Sequence, residues 1–519
     1  AMTSPRTSAR LAAAVLAATA LTAACGLKPE ATDSLKATGA QLPAAGNAAA
    51  GGVPAPGGTT APVPGASLPG GSDVGGGGAV AGGAGGVSAG SSGGAAGSGG
   101  STGSTAPGGH VGSKPVAQPA AGSCGVPHGG TTTGITNSTI NIGLHAPLTG
   151  TGTPFPNNSF KAGAGTFWQQ PGHTVCGRKV NVEFQDDTYT PSGARTVCSA
   201  MAKRDFFVVG GGGTDQIQAC ATDPDIQRLG VPYLSAGVTD NGLNGLNNYF
   251  AVSLTYRQQG GLVLRNAQQQ GIANPRASNQ KSDNIPGQNA KWAIVTANTP
   301  NFAGARDGME AALKAAHIPY KSYQVSQQGN YQSAATQFGS QLALNGFQTI
   351  YVDAAPGYFV FMTGGYYGAH VGSANWVGPG VTYTEVTVAQ YVCSTSKGAI
   401  SGHAYFLSPA PGLDRATPDF KKAYNGKYDD IEWALWGLSE TLFALLKDAS
   451  GNLTRQNFIA AATHATVPAS VYPPVDFLHN GGHFGGTGAW VQRVNCSKTE
   501  PNQNQPGTWD TVGSKYLVL

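Results

Sequence analysis

The chain has 519 residues, with 30 Lys and Arg against 26 Asp and Glu, a formal net charge of +4. All 18 Phe, 18 Tyr and 7 Trp lie from Phe155 onward, so the preceding segment cannot bury a core of its own, and the rest suits two lobes. Nearly balanced charge with no Lys/Arg cluster excludes nucleic-acid binding, and no apolar stretch reaches the roughly 18–20 residues of a spanning helix.

The N-terminal residues read as an address. Arg6 and Arg10 form a basic region, Leu11–Leu21 is a short apolar core, and Thr22-Ala23-Ala24-Cys25 follows. Small residues before a Cys, directly after such a core, look like a bacterial lipobox, with Thr22 where Leu is usual. Residues 1–24 are then a signal peptide, and Cys25 carries the lipid that anchors the protein to the membrane. An ordinary secretory signal is the alternative. Residues 25–123 continue as a tether of Gly, Ala, Ser, Pro and Thr with few charges. GxSxG strings occur there, such as Gly86-Val87-Ser88-Ala89-Gly90. A nucleophile elbow needs a strand before it and a helix after it, and this tract offers neither.

From Thr139 strand and helix patterns alternate. Strands are expected at 139–144, 179–185, 206–209, 231–234 and 249–254, with helices at 160–170, 192–204 and 217–229. The pattern restarts with helix 258–270, a polar loop at 274–289, strands 292–296, 320–325 and 349–352, and helices 304–316 and 331–344. Segments 358–369, 376–378 and 400–406 continue it, and 430–447 is a further helix. Such alternation implies α/β architecture: two Rossmann-like lobes with parallel sheets, joined by a hinge. Lobe 1 takes 124–255 and about 407–480; lobe 2 takes 256–406 and about 481–519. Ligands of open sheets sit outside the carboxyl ends of the strands, so the loops there are the place to look.

With Cys25 used by the lipid, Cys124, Cys176, Cys198, Cys220, Cys393 and Cys496 remain. An even count in an exported protein reads as three disulfides. Six cysteines allow fifteen connectivities; pairing neighbours (124–176, 198–220, 393–496) fits the element order best. No Cys/His spacing suggests zinc, and no metal or cofactor is expected. His479 and His483 are spaced i, i+4, but the Asn480-Gly481-Gly482 between them makes a turn.

The order of these elements resembles type I periplasmic binding proteins, the branched-chain amino acid and amide-binding group of ABC transporters, over about 138–500. The carriers are Ile142-Gly143-Leu144-His145-Ala146-Pro147-Leu148-Thr149-Gly150, like the family's opening strand and its P-L-S/T-G turn; Asp186-Asp187 after the second strand; Val208-Val209-Gly210-Gly211 after the third; and Val231-Pro232-Tyr233-Leu234-Ser235 for the fourth. The resemblance implies lobes that close on a ligand by hinge motion, an extracytoplasmic location, a small-molecule ligand and an ABC transporter permease as partner.

It also implies site residues. In lobe 1 these are Gly212, Gly213 and Thr214, then Ser235, Gly237 and Thr239, with Phe155 as an aromatic lid. In lobe 2 they are Tyr358 and Tyr383, with Tyr256 as a weaker contact. The acid that amino-acid binders place near Gly378-Pro379-Gly380-Val381 is missing here. Glu385 lies a few residues on, and Asp353 or Asp215 are substitutes. An amino acid, amide or small carboxylate is the expected ligand. A ligand sensor signalling to a membrane partner is the alternative. An enzyme is not expected: the cleft loops carry no Ser-His-Asp order, and Asp186 and Asp187, adjacent on an extended strand, face opposite ways.

Overall fold

The computed structural model describes residues 129–150, 157–236, 239–273, 292–327, 331–370, 372–380, 384–500 and 503–519. Cys25, Cys124, Phe155, Gly237 and Tyr383, the signal, the tether and the 274–289 loop lie outside the described residues.

The first lobe opens with β1 (Thr139–Ala146), α1 (Asn157–Thr166), β2 (Thr174–Val175) and β3 (Arg178–Asp186). It continues with α2 (Pro191–Ala202), β4 (Phe207–Gly210), α3 (Thr214–Ala221), α4 (Pro224–Arg228), β5 (Tyr233–Ser235) and β6 (Tyr249–Ala251). The sheet order is β2-β3-β1-β4-β5-β6, parallel except for the short β2. On β1 the alternate residues Ile140, Ile142, Leu144 and Ala146 are all buried, as expected of a strand covered on both faces. On the other side Gly143 leaves room for Met201 of α2.

The expected helix 217–229 is two helices. Asp223 accepts the Asp225 and Ile226 N–H groups and Pro224 opens α4, so the chain restarts at a cap instead of running through. Cys198 of α2 is bonded to Cys220 of α3.

The second lobe comprises α5 (Tyr256–Gln269), β7 (Trp292–Ala297), α6 (Ala303–Ala315), β8 (Tyr320–Val325), α7 (Gln332–Leu344), β9 (Thr349–Asp353), α8 (Pro356–Gly368), β10 (Asn375–Pro379), α9 (Val386–Thr395) and β11 (Ala404–Ser408). The chain then returns to lobe 1 with α10 (Pro418–Ala423), α11 (Asp430–Asp448), α12 (Arg455–Ala462), β12 (Thr466–Val467) and β13 (Val475–Asp476). It ends in lobe 2 with β14 (Gly488–Asn495), β15 (Thr508–Thr511) and β16 (Leu517–Val518). The second sheet runs β15-β14-β11-β10-β9-β7-β8. It is parallel from β8 to β11, whereas β14 and β15 add antiparallel strands beyond the expected parallel set. Cys393 of α9 is bonded to Cys496 just after β14. Cys176 is disulfide-bonded too, and Cys124, its expected partner, lies outside the described residues.

Both sheets belong to one compact unit, and the chain passes between them three times: after β6, after β11 and before β14. The lobe 1 core gathers Phe207, Phe250 and Phe458, with Trp433 and Trp436 from α11. Buried Arg455 of α12 donates to the carbonyls of Ala202, Asp205, Phe206 and Leu229, pinning the returning helices to the first sheet. No described helix is long and apolar enough to cross a membrane.

Candidate functional site

The turn from β4 into α3 is four glycines, and its geometry requires at least one of them. Gly213 caps α3 with φ +80°, a left-handed backbone that favours glycine, and a Cβ there would stand 2.2 Å from Gln216 Oε1. This turn forms one wall of a cavity between the lobes, with an empty volume of about 860 Å³ including space open to solvent. Phe160, Ile217 and Ala236 of lobe 1 join it. From α11 come Asp430, Ile431, Ala434, Leu435 and Leu438. Tyr472 of lobe 1 joins these, and lobe 2 and the crossings contribute Tyr256, Thr384, Glu385, Ser408–Pro411 and Gln492. The cavity thus sits where β4, β5 and β11 end, at their carboxyl ends, as open α/β sheets favour. Among the described residues most of its lining side chains are apolar, and no Lys, Arg or His is among them.

Two carboxyls face one another across the lobes. Asp430, at the start of α11, accepts the Val386 N–H at 3.0 Å on each oxygen and so caps the lobe 2 helix α9 from lobe 1. Glu385, immediately before α9, is 2% exposed, and neither of its carboxyl oxygens has a hydrogen-bond partner among the described residues. Burial, reinforced by the Asp430 and Asp429 charges, pushes the Glu385 carboxyl well above the ordinary range. Burial and the neighbouring Asp429 charge do the same to Asp430. Glu432 is not on the wall: it completes a capping box, its carboxylate accepting the Asp429 N–H at 2.8 Å.

Of the residues implied by resemblance, Gly212, Gly213 and Thr214 line the cavity. The Thr214 hydroxyl bonds the Tyr256 hydroxyl at 2.8 Å, which brings the weaker candidate Tyr256 into the site as well. Ser235 is placed off the wall, buried in β5 with its hydroxyl 2.9 Å from that of Tyr249. Tyr358 packs in the lobe 2 core against Tyr331, ring centroids 5.8 Å apart. Asp353 ends β9, buried away from the cavity lining, with Oδ2 unpartnered and its carboxyl pushed well up by burial.

Thr239 and Asp215 serve a different purpose: they tie the lobes together. Thr239 donates to the Asn301 carbonyl at 2.9 Å, and Asn241 to the Asn301 side-chain oxygen at 2.8 Å. Asn301, in the turn after β7, donates to Asp215 at 2.5 Å, and Arg257 of α5 pairs with Asp240 at 3.2 Å.

The Asp186-Asp187 pair divides as an extended strand requires. Asp186 accepts from Leu148, Thr149 and Thr188. Burial raises its carboxyl, but these hydrogen bonds outweigh that and hold it below the ordinary range. Asp187 turns inward and bonds His145 Nδ1 at 2.8 Å, while His145 Nε2 meets the Tyr233 hydroxyl at 2.7 Å. His145 also approaches Cys198 and Cys220, but those sulfurs are bonded to each other and both ring nitrogens are engaged. His479 and His483 lie on a turn and part company: one bonds Asp476, the other the Tyr249 carbonyl.

The most informative cavity residues, Glu385, Asp430, Leu435 and Gln492, were not singled out from the sequence as contacts. Glu385 was visible as an acid just beyond the expected position. For Asp430, the second acid of Asp429-Asp430 at a helix start reads first as a dipole partner, and nothing local marks Gln492 within β14.

The family model of periplasmic binding proteins matches residues 139–500. Among solved structures, a fatty acid ABC transporter substrate-binding protein from Thermomonospora curvata superposes with TM-score 0.58 at 15% identity, covering 74% of this chain and 95% of that one. A solute binding protein of an ABC transporter from Rhodopseudomonas palustris BisB5, in complex with 3,4-dihydroxybenzoic acid, gives 0.57 at 15% identity, with coverages of 73% and 98%. The branched-chain amino acid transporter substrate binding protein LivJ from Streptococcus pneumoniae, in complex with isoleucine, gives 0.53 at 16%, with 72% and 100%. At these identities the likeness establishes the shared fold. No curated protein matches the chain in sequence.

Proposed function

The chain belongs to the periplasmic binding protein family, and from that premise we propose that it captures a small organic ligand outside the cytoplasm and presents it to an ABC transporter permease. The observation that carries this reading is the cavity between the lobes: an apolar wall from Phe160, Leu435 and Leu438, with a few polar groups from both lobes at the same place. Concave, mostly apolar sites with few convergent polar groups are what small-molecule binders use. Because Gly212–Thr214 come from lobe 1 and Thr384–Glu385 from lobe 2, an occupant touching both favours the closed arrangement. The structural neighbours' ligands (a fatty acid, a dihydroxybenzoate, isoleucine) each join an apolar body to a polar end, which fits such a wall.

The anchor belongs to the same proposal. Lipid on Cys25 and the tether of 25–123 would hold the folded lobes near the permease while leaving them free to sample solute. Cys25→Ser is expected to move the protein from the membrane fraction to the soluble fraction; retention in the membrane contradicts the anchor.

Capture is tested on the full chain, made in an oxidising compartment, by thermal shift against amino acids, amides, hydroxybenzoates, short-chain fatty acids and small amines. A ligand at 100 times its Kd adds about 2.7 kcal/mol to stability, and at least one class is expected to raise Tm accordingly. Leu435→Trp, which fills the cavity, should abolish the shift while still melting cooperatively. A cooperative melt that no class moves contradicts the reading.

A further inference from the structure

Glu385 and Asp430 reach one cavity from opposite lobes, and among the described lining residues no Lys, Arg or His stands with them. Asp430 accepts the Val386 N–H on both oxygens, so lobe 2 offers it a donor. Glu385, the residue before Val386, receives none: both its carboxyl oxygens are buried and unpartnered among the described residues. The backbone N–H groups of Gly212–Thr214 on the lobe 1 wall therefore do not reach it. Trp509 of β15 holds the residue in place, its indole N–H donating to the Glu385 carbonyl at 2.9 Å. The charges that act on the pair are negative. Asp429 stands beside Asp430 on α11, its carboxylate taking the Ser159 hydroxyl and the Glu432 N–H, and Glu500 after β14 acts on Asp430 as well. Lys421 and Lys498 act on Glu500, and Lys498 is paired with Asp510 at 2.8 Å. The wall's phenols, Tyr256 and Tyr472, are pushed up by burial and keep their protons. A carboxylate buried with neither donor nor cation is strongly unfavourable, and a neutral carboxyl much less so.

We infer that Glu385 and Asp430 form a proton-operated latch between the lobes: the closed arrangement holds a proton on Glu385, and release of that proton to solvent parts the lobes. Closing and proton uptake then go together. In the closed lobes burial, reinforced by the Asp430 and Asp429 charges, keeps the Glu385 carboxyl well above its ordinary 4.5. Parted lobes return it to water and to the ordinary range. Above that ordinary value closing takes up a proton, so the closed form is favoured as pH falls and lost as pH rises. One proton per closure changes the closed-to-open ratio by up to about tenfold per pH unit. The inference goes beyond the capture reading and does not depend on it, because the lobes alone respond, with no ligand present.

The test follows an interlobe fluorescence pair on the full chain without ligand, from about pH 5 to about pH 8. Wild type is expected to open progressively, its closed-to-open ratio falling at least about tenfold across the range. Glu385→Gln keeps the shape and removes the proton, so its separation should stay at the closed value throughout. Titration of the seam acids Asp215 and Asp240 would move both proteins alike, so the difference between them reports the latch. Asp430→Asn keeps an oxygen for the Val386 N–H and removes the facing charge. It should open less than wild type at the upper end of the range, and it carries the test if Glu385→Gln does not fold. A wild-type separation that ignores pH, one that grows as pH falls, or a variant that opens as far as wild type overturns the inference.

Discussion

Asp205 stands just before β4 with its carboxyl buried, 2% exposed, and packed beside Gly143 of β1. Burial pushes it up from an ordinary 3.8 to about 6, only partly offset by Arg204. The sign follows directly. Between pH 3.8 and about 6 the unfolded chain has released this proton and the folded chain still holds it, so stability falls as pH rises through that window. Two units correspond to up to about 3 kcal/mol. Urea melts at pH 4, 5, 6 and 7 should show wild type losing stability relative to Asp205→Asn across the window, with the difference level above it. A difference independent of pH contradicts the buried-acid reading. Asp186 acts in the opposite sense: its carboxyl is held low, so its contribution is lost as pH falls below 3.8.

At the scale of elements, the lobes meet in two places with different chemistry. One is the cavity wall, where α11 of lobe 1 caps α9 of lobe 2 through Asp430. The other is the seam of Asp215, Thr239, Asp240 and Asn241 against Asn301 and Arg257. Asn301 is its centre: its side chain donates to Asp215 and accepts from Asn241, whereas its carbonyl serves Thr239. Asn301→Ala removes the two side-chain bonds, worth about 0.5–1.5 kcal/mol each, and should shift the unliganded protein toward open lobes. An interlobe fluorescence pair should report a larger mean separation, with Tm lowered by only a few degrees. An unchanged separation contradicts the seam as a closing contact. Thr239, read in sequence as a ligand contact, stands in this seam because the turn after β5 meets the turn after β7 before it meets the cavity.

For the whole molecule, the α/β alternation and the two sheets were legible because apolar runs such as Ile140–Leu144 and Trp292–Val295 are bounded by turns. The glycine turn at Gly210–Gly213 was legible as part of the site for the same local reason: glycines between a strand and a helix allow close approach. Glu385, Asp430 and Gln492 were not, because they come from a loop, a helix start and a late strand that converge only through the three crossings. Helix α9 and strands β14 and β15 also escaped a pattern reading. Val386–Thr395 mixes β-branched residues with polar ones, and antiparallel additions to a parallel sheet carry no βαβ rhythm. Family resemblance reached the general position of the cleft, and the structure adds which side chains line it.

The measurement that bears most directly on capture is hydrogen exchange by mass spectrometry on the full chain, with and without whichever ligand raises Tm most. Slowed exchange is expected together at 210–217, 384–390 and 430–438, three segments distant in sequence that meet at one cavity. Protection confined to other surfaces, or to one lobe alone, would contradict the cavity between the lobes as the capture site.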